Sequence, residues 1–316
     1  MKMAKNQGNP INHSNPRSIF TTQNQTMKPL PLNPLSLLLL FFLFIATGQA
    51  QETIALSPNT QKLQEADWNS EEISEELTWK YRQFKDLFAS VQSITILEID
   101  TKDPDVSLVL PNVTSGFIKT SEAGAQAGAI AAINGSFFDT KVGGSTVFFK
   151  KDGEIINPTR VGFNEYRENA GFALDARNRP SIVARPEAGW ESLAGFSSVL
   201  ASGPLLIQDG QLVEQQQNPF NDNRHPRTAI GLTSDGRLLA VVVDGRSADA
   251  FGMSIPELAE LMAALGCTSA MNLDGGGSST AWIQGTGVVN HPSDNKKFDH
   301  KGERGVATVI AIKVAR

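Results

Sequence analysis

The sequence predicts an α+β fold: a mixed, largely antiparallel sheet with a few packed helices, in a single compact domain. Three observations carry this prediction. Asp152-Gly153, Asp209-Gly210 and Asp235-Gly236 each sit between apolar runs, as the dipeptides of tight hairpins do. The segment SIPELAELMAALG opens on a capping box of Ser254 and Glu257, shows one apolar face of Leu258, Leu261, Met262 and Leu265, and closes on Gly266. The chain ends on VATVIAIKVA (306–315), nearly all apolar, as a strand buried on both faces requires.

The elements follow in chain order. Residues 1–34 are polar and aperiodic, and then Leu35 to Ala46 reads LSLLLLFFLFIA. At ~1.5 Å per residue this run spans roughly 18 Å, short of a ~30 Å hydrocarbon layer. Residues 1–50 therefore read as a signal-peptide region, with Gly48 and Ala50 before the cut and Met27 as the expected true start. No stable membrane span is expected after cleavage, and the mature protein is expected to be exported, periplasmic or secreted. Residues 51–66 read as a polar linker. Asn69 and Glu72 at capping spacing, then Ile73, Leu77, Tyr81, Phe84 and Phe88, predict an N-terminal helix over 67–90. The globular domain is expected over 91–316. It opens with the strands VQSITILEID and DVSLVLPN, continues through a short helix in SEAGAQAGA (121–129), and enters the strand AIAAIN, which ends at Asn134.

A net charge of −5, 7% aromatic residues and no Lys/Arg stripe exclude a nucleic-acid groove with stacking platforms. Cys267 is the single cysteine, so no internal disulfide is available, and its apolar context marks it as a small buried hydrophobe.

Chemistry concentrates at NLDGGGSST. Gly275, Gly276 and Gly277 allow a positive φ and can turn successive backbone N–H groups towards one anion, with the Ser278 and Ser279 hydroxyls added. No lysine follows in the GK[ST] pattern, so this is not a nucleotide P-loop. Asp274 stands at the strand end before the loop, where a carboxylate is held and aimed. In NRHPRTAIGLTSDGRLLAVVVDGR, hairpin pairing through Asp235-Gly236 brings Arg224 and Arg227 beside Asp244 and Arg246, and guanidinium suits phosphate through paired donors. INGSFFDT ends a buried strand in Asn134-Gly135 and offers an amide beside an aromatic wall.

INGSFFDT, ASGPLLI, RHPRTAIG, VVVDGR, the SIPELAELMAALGC helix, NLDGGGSST and ERGVATVIAI, in this order, resemble the phosphodiester glycosidase family over residues 95–314. The resemblance implies a hydrolase that cuts a sugar from a phosphodiester. It implies Asp274 as base or nucleophile at the anomeric carbon, Asp244 as second carboxylate, and Arg227, with Arg246 or Arg304, neutralising the departing phosphate. Asn134 is expected to hold sugar hydroxyls or an acetamido group, with Gly135, Asp139, Gly203 and Arg224 completing the walls. Ser136 stands where the family more usually has glycine and is expected to narrow the pocket. No cofactor is expected. A rival reading assembles Asn134, Asp139, Asp244 and Asp274 into an oxygen site for a divalent metal. A second rival is a non-catalytic module that grips phosphorylated envelope glycans. Only His225, His291 and His300 lie beyond the leader and no GxSxG elbow is present, which disfavours a Ser/His/Asp hydrolase.

Overall fold

In the computed structural model, which describes residues 56–160 and 165–315, all three Asp-Gly dipeptides turn hairpins. Asp152 and Gly153 both take positive φ, as do Asp209 and Gly210, so two of the turns have the mirror-image geometry that matches strand twist. Gly236 alone does so in the third, which joins Arg227–Thr233 to Arg237–Val243. The expected leader over 1–50 lies outside the described residues.

Eight strands form the central sheet, in the spatial order Asn69–Ser74, Leu77–Leu87, Ser90–Asp100, Arg237–Val243, Arg227–Thr233, Cys267–Asn272, Leu205–Gln208 and Gln211–Leu212. All its pairings are antiparallel. One face carries Ile94, Ile96, Ala229, Val241 and Val243 and packs on the helix Ile255–Ala264. Ser254 caps that helix reciprocally with Glu257, as expected, and such a cap contributes ~1 kcal/mol. The other face carries Leu97, Ile99, Ile230, Ala240, Val242 and Met271. It meets two five-stranded sheets, contributing Ile133, Ile310 and Ile312 from one and Phe149, Phe172 and Leu200 from the other. In the first of these, Val309–Val314 lies between Ala131–Asn134 and Val106–Val109, an interior strand as its composition requires. The short helix Thr120–Gln126 covers that sheet's outer side through Ala123.

The expected helix over 67–90 is instead a β-hairpin, Asn69–Ser74 paired with Leu77–Leu87. The physical reason is the spacing. Ile73, Leu77 and Tyr81 recur every four residues, which fits a strand's period of two as well as a helix's 3.6. Trp79 falls in the same alternation, packs with Leu77 on the inner core, and breaks the degeneracy. Asn69 and Glu72, read as a cap, are strand residues opposite Tyr81 and Thr78. The expected linker also contains structure: Pro58–Gln64 is helical, capped by Ser57 accepting from Thr60 N at 3.0 Å, and buries Leu63. Among the described residues no helix is long and apolar enough to cross a membrane.

Candidate functional site

Asp274 follows the strand Cys267–Asn272 at the end of the central sheet, and its main chain is held from both sides. Leu273 N donates to Thr228 O at 2.8 Å, Asp274 N donates to Gly135 O at 3.1 Å, and Asn134 Nδ2 donates to Asp274 O at 2.8 Å. Asn134 Oδ1 accepts from Thr228 Oγ1 and from Thr280 N. Asn134 is thus a bolt between the central sheet and its neighbour. With no solvent exposure and its amide spent on protein partners, it does not hold a sugar, contrary to expectation. Ser136 does not narrow a pocket either, since its buried hydroxyl donates to Ala201 O at 2.6 Å.

The Asp274 carboxyl keeps a little solvent contact while protein surrounds most of it. Burial pushes its pKa up to about 6, opposed by the Ser278 side chain, the Gly275 N–H and the positive charges of Arg304 and Arg167. Gly276 takes φ +66, and a side-chain carbon there would stand 3.0 Å from Arg246 Nη2. At Gly277 an added carbon would collide first with Asp294 Oδ1 and would lie 2.6 Å from Arg304 Nη2. The absent side chains let two guanidiniums close on the loop, one beside each glycine.

That arrangement corrects the expected role of the loop backbone. Gly275 N donates to Asp274 Oδ1, Gly276 N to Pro226 O, and the N–H groups of Ser278 and Ser279 to loop carbonyls. Most of the N–H groups are spent inside the protein, and Ser278 and Ser279 are buried. The guanidiniums nearest the loop are those of Arg246 and of Arg304, the latter paired with Asp294. Outward from Arg304 opens a recess of about 470 Å³ lined by Phe117, Phe138, Thr140 and Gly305. A groove of about 510 Å³ along Val106–Val109 contains none of these residues, so size alone does not mark the site.

Other expected members stand elsewhere. Arg227 points to the helix face of the sheet, where it is 1% exposed and donates to the carbonyls of Met253, Phe220 and Asn223. Burial pulls its pKa down to about 9, against the attraction of Glu257. It braces the fold and does not reach the loop. Arg224 pairs with Glu257 of the capping box, at 2.5 Å. Asp139 closes a turn by accepting from the N–H groups of Lys141 and Val142, which hold its carboxyl below the usual range. Gly203 packs against Asn169 and accepts from Asn272 Nδ2 at 2.7 Å. Asp244, 1% exposed, accepts from Ser93, Asn290 and His291, so it does not face substrate as a second carboxylate. Among the described residues no three His, Cys, Asp or Glu side chains gather as metal ligands, and Asp139 and Asp244 belong to separate hydrogen-bond sets.

With this geometry in place, sequence comparison gives a direct result: a family model described as phosphodiester glycosidase matches residues 127–313. The chain belongs to the phosphodiester glycosidase family. It is 25% identical over 197 residues to the N-acetylglucosamine-1-phosphodiester alpha-N-acetylglucosaminidase of Mus musculus, covering 59% of this chain and 38% of that protein. It is 31% identical over 141 residues to the SPbeta prophage-derived protein YomE of Bacillus subtilis, covering 38% and 22%. The chain thus spans well under half the length of these two relatives. The fold is shared with the catalytic domain of the zebrafish enzyme, at a TM-score of 0.61 and 20% identity over 79% of this chain and 88% of that one. A Synechocystis protein gives a TM-score of 0.61 at 16% identity, covering 79% and 64%.

Two parts of this phosphodiester glycosidase domain were missed in the sequence. Arg167 lies over the rings of Phe220, Phe137 and Tyr166 at 4.9, 5.6 and 5.8 Å, and its charge acts on Asp274. The second is the irregular segment 289–304, where Arg304 was expected but Asn290, His291 and Asp294 were given no role. Its length without regular structure, carrying two histidines and an arginine, is the cue that could have found it.

Proposed function

We propose that this protein is an exported hydrolase that cuts the bond between a sugar anomeric carbon and a phosphodiester, releasing free sugar and a phosphomonoester. The observation that carries this reading is the placing of Asp274 beside a glycine loop flanked by the Arg246 guanidinium at Gly276 and by Arg304, paired with Asp294, at Gly277. A carboxylate faces the anomeric carbon while fixed positive charge lies where the departing phosphate accumulates its own negative charge. The oxygen of water bonds to the anomeric carbon, the carbon–oxygen bond to phosphorus breaks with its electrons, and the water's protons pass to protein and product. A phosphate leaves without a strong acid, so the leaving group needs cations and not a proton donor.

The recess lined by Phe117 and Phe138 gives a sugar ring an apolar wall next to Arg304. The mouse relative is named for N-acetylglucosamine on a phosphodiester. That sugar is the first to try, followed by phosphodiester-linked glycans of a cell envelope.

The test uses the mature chain and a panel of sugar 1-phosphodiesters, with free sugar and phosphomonoester followed by mass. Release by the wild type and its loss in Asp274→Asn is the expected result. Binding of the panel without release by a folded wild type would replace this reading with a glycan-binding module.

A further inference from the structure

Asp244 is buried in the end of Arg237–Val243, yet its carboxyl is surrounded by donors. Ser93 Oγ lies at 2.6 Å, Asn290 Nδ2 at 2.9 Å, His291 N at 2.8 Å and His291 Nδ1 at 3.0 Å. Three of these are donors whatever the tautomer. The carboxyl is therefore an acceptor, and Nδ1 of His291 carries a proton towards it. This assigns the tautomer of the neutral ring, in which Nδ1 carries the proton and Nε2 the lone pair, and Nε2 makes no hydrogen bond to the protein among the described residues. The ring is also fixed in orientation. Phe298 stacks on it at 3.8 Å and 9°, and His300 lies 4.5 Å away, itself held by Asn290 O at 2.7 Å. A side chain only 13% exposed, with one nitrogen bonded to a buried carboxyl and the other unspent, is arranged as a base.

The pair stands on the same rim as Asp274. Asp244 and Asp274 leave the strands on either side of Arg227–Thr233, at the end where Arg227 pairs with Val243 and Leu273 N meets Thr228 O. Two strand spacings separate them, roughly 10 Å. Pro226 joins the two, because Gly276 N donates to its carbonyl and Gly245 packs against its nitrogen. Asn290 fastens the pair to the exit of the glycine loop, donating to Ser279 O at 3.1 Å and accepting from Ala281 N at 2.8 Å. Three residues beyond His291, Asp294 pairs with Arg304 against Gly277.

We propose that His291, oriented by Asp244, is the base that takes the proton from the attacking water, opposite the carboxylate of Asp274 at the anomeric carbon. In this step the water oxygen bonds to carbon, its proton passes to Nε2, and the bond to the phosphate oxygen breaks with both electrons leaving on phosphate. The proton then leaves Nε2 for solvent or the released phosphomonoester. Asp244 is a positioning residue and touches neither water nor sugar. This inference rests on the glycosidase reading above.

The experiment compares wild type, His291→Ala and His291→Gln on the phosphodiester that the wild type cleaves, with and without sodium azide. Azide is a nucleophile with no proton to lose, so it bypasses a missing base, and glutamine keeps a donor towards Asp244 if alanine unsettles the segment. The expected result is a fall in kcat of about 10²-fold or more in both variants, in line with the usual contribution of a positioned base. KM should hold within about threefold, and azide should restore at least a tenth of the lost rate with a glycosyl azide as product. Loss of activity with no azide product in a folded Gln variant would make His291 a structural residue and overturn the proposal, as would near-wild-type turnover in either variant. If the wild type binds the panel and cleaves none of it, the glycosidase reading fails first and takes this proposal with it.

Discussion

Arg304 reaches Asp294 directly beside Gly277, so that its guanidinium occupies the space a side chain at that glycine would need. The contact explains why a third consecutive glycine is present in a loop that needs a positive φ only at Gly276. The Gly277→Ala variant must push the Asp294–Arg304 pair aside. Because the displaced atoms belong to the ends of flexible side chains, the fold should survive. We expect kcat/KM to fall by roughly tenfold or more, on the order of the cost of one misplaced stabilising donor, with a thermal midpoint within a few degrees of wild type. Equal losses of stability and activity would count against a role for Arg304 at the phosphate.

Asp274 has a pKa raised from 3.8 to about 6 in the folded protein. The folded state therefore prefers the protonated carboxyl. Its contribution to stability is full below the unfolded pKa, near 4, and is lost as pH rises towards 6 and beyond. Two units bound that loss at about 3 kcal/mol, and the residual solvent contact of the carboxyl lowers it. Asp274→Asn should then resist denaturant better than wild type at pH 7.5, with the gap closing near pH 4. In the wild type, kcat/KM should climb with pH through about 6 and level off. A profile that falls above 6 would make Asp274 an acid and not a base or nucleophile.

Arg227 and Arg246 were paired in the sequence but separate in the structure, and methionine at each position should separate them in solution. Arg227→Met leaves three buried carbonyls, of Phe220, Asn223 and Met253, without their donor. A loss of about 2–4 kcal/mol in urea unfolding is expected. Arg246→Met, at an exposed position, should leave stability within about 0.5 kcal/mol and raise KM for a phosphodiester. Reversal of this pattern would place Arg227 in the site.

The Asp244→Asn variant keeps the shape of the side chain but turns one acceptor oxygen into a donor facing Ser93 or His291. Its kcat should drop by about 10² or more, with KM little changed, and circular dichroism should show an intact fold. An unchanged kcat would mean that His291 needs no fixed tautomer.

Much of this was legible in the sequence. Asp-Gly turns, the Ser254–Glu257 cap and the apolar closing strand are local features whose chemistry decides their structure within a few residues. The hairpin register likewise brought Arg227 and Asp244 to neighbouring strand ends, Arg227 opposite Val243. It could not say that they point to opposite faces, because the last strand residues are where alternation is easiest to misjudge. The glycine loop is legible in the sequence, but not that most of its N–H groups are spent within the protein or that its missing side chains leave room for Arg246 and for the Asp294–Arg304 pair. His291 escaped notice because its partner lies 47 residues away and joins it through a segment with no periodicity.

Asn134 couples the central sheet and its neighbour to the main chain of Asp274, so the carboxylate side of the site inherits the stiffness of both sheets. The segment 289–304 has no regular structure of its own and is held at its start, where Asn290 and His291 bond to Ala281 and Asp244. The two portions therefore face different evolutionary constraints. A change of substrate that shifted Asp274 would have to reshape two sheets at once, whereas substitutions and length changes between residues 292 and 303 leave the bonds of Asn290 and His291 in place. Diversification of sugar or aglycone preference among relatives of this fold is expected to be written in that segment, over an unchanged Asn-and-Asp foundation.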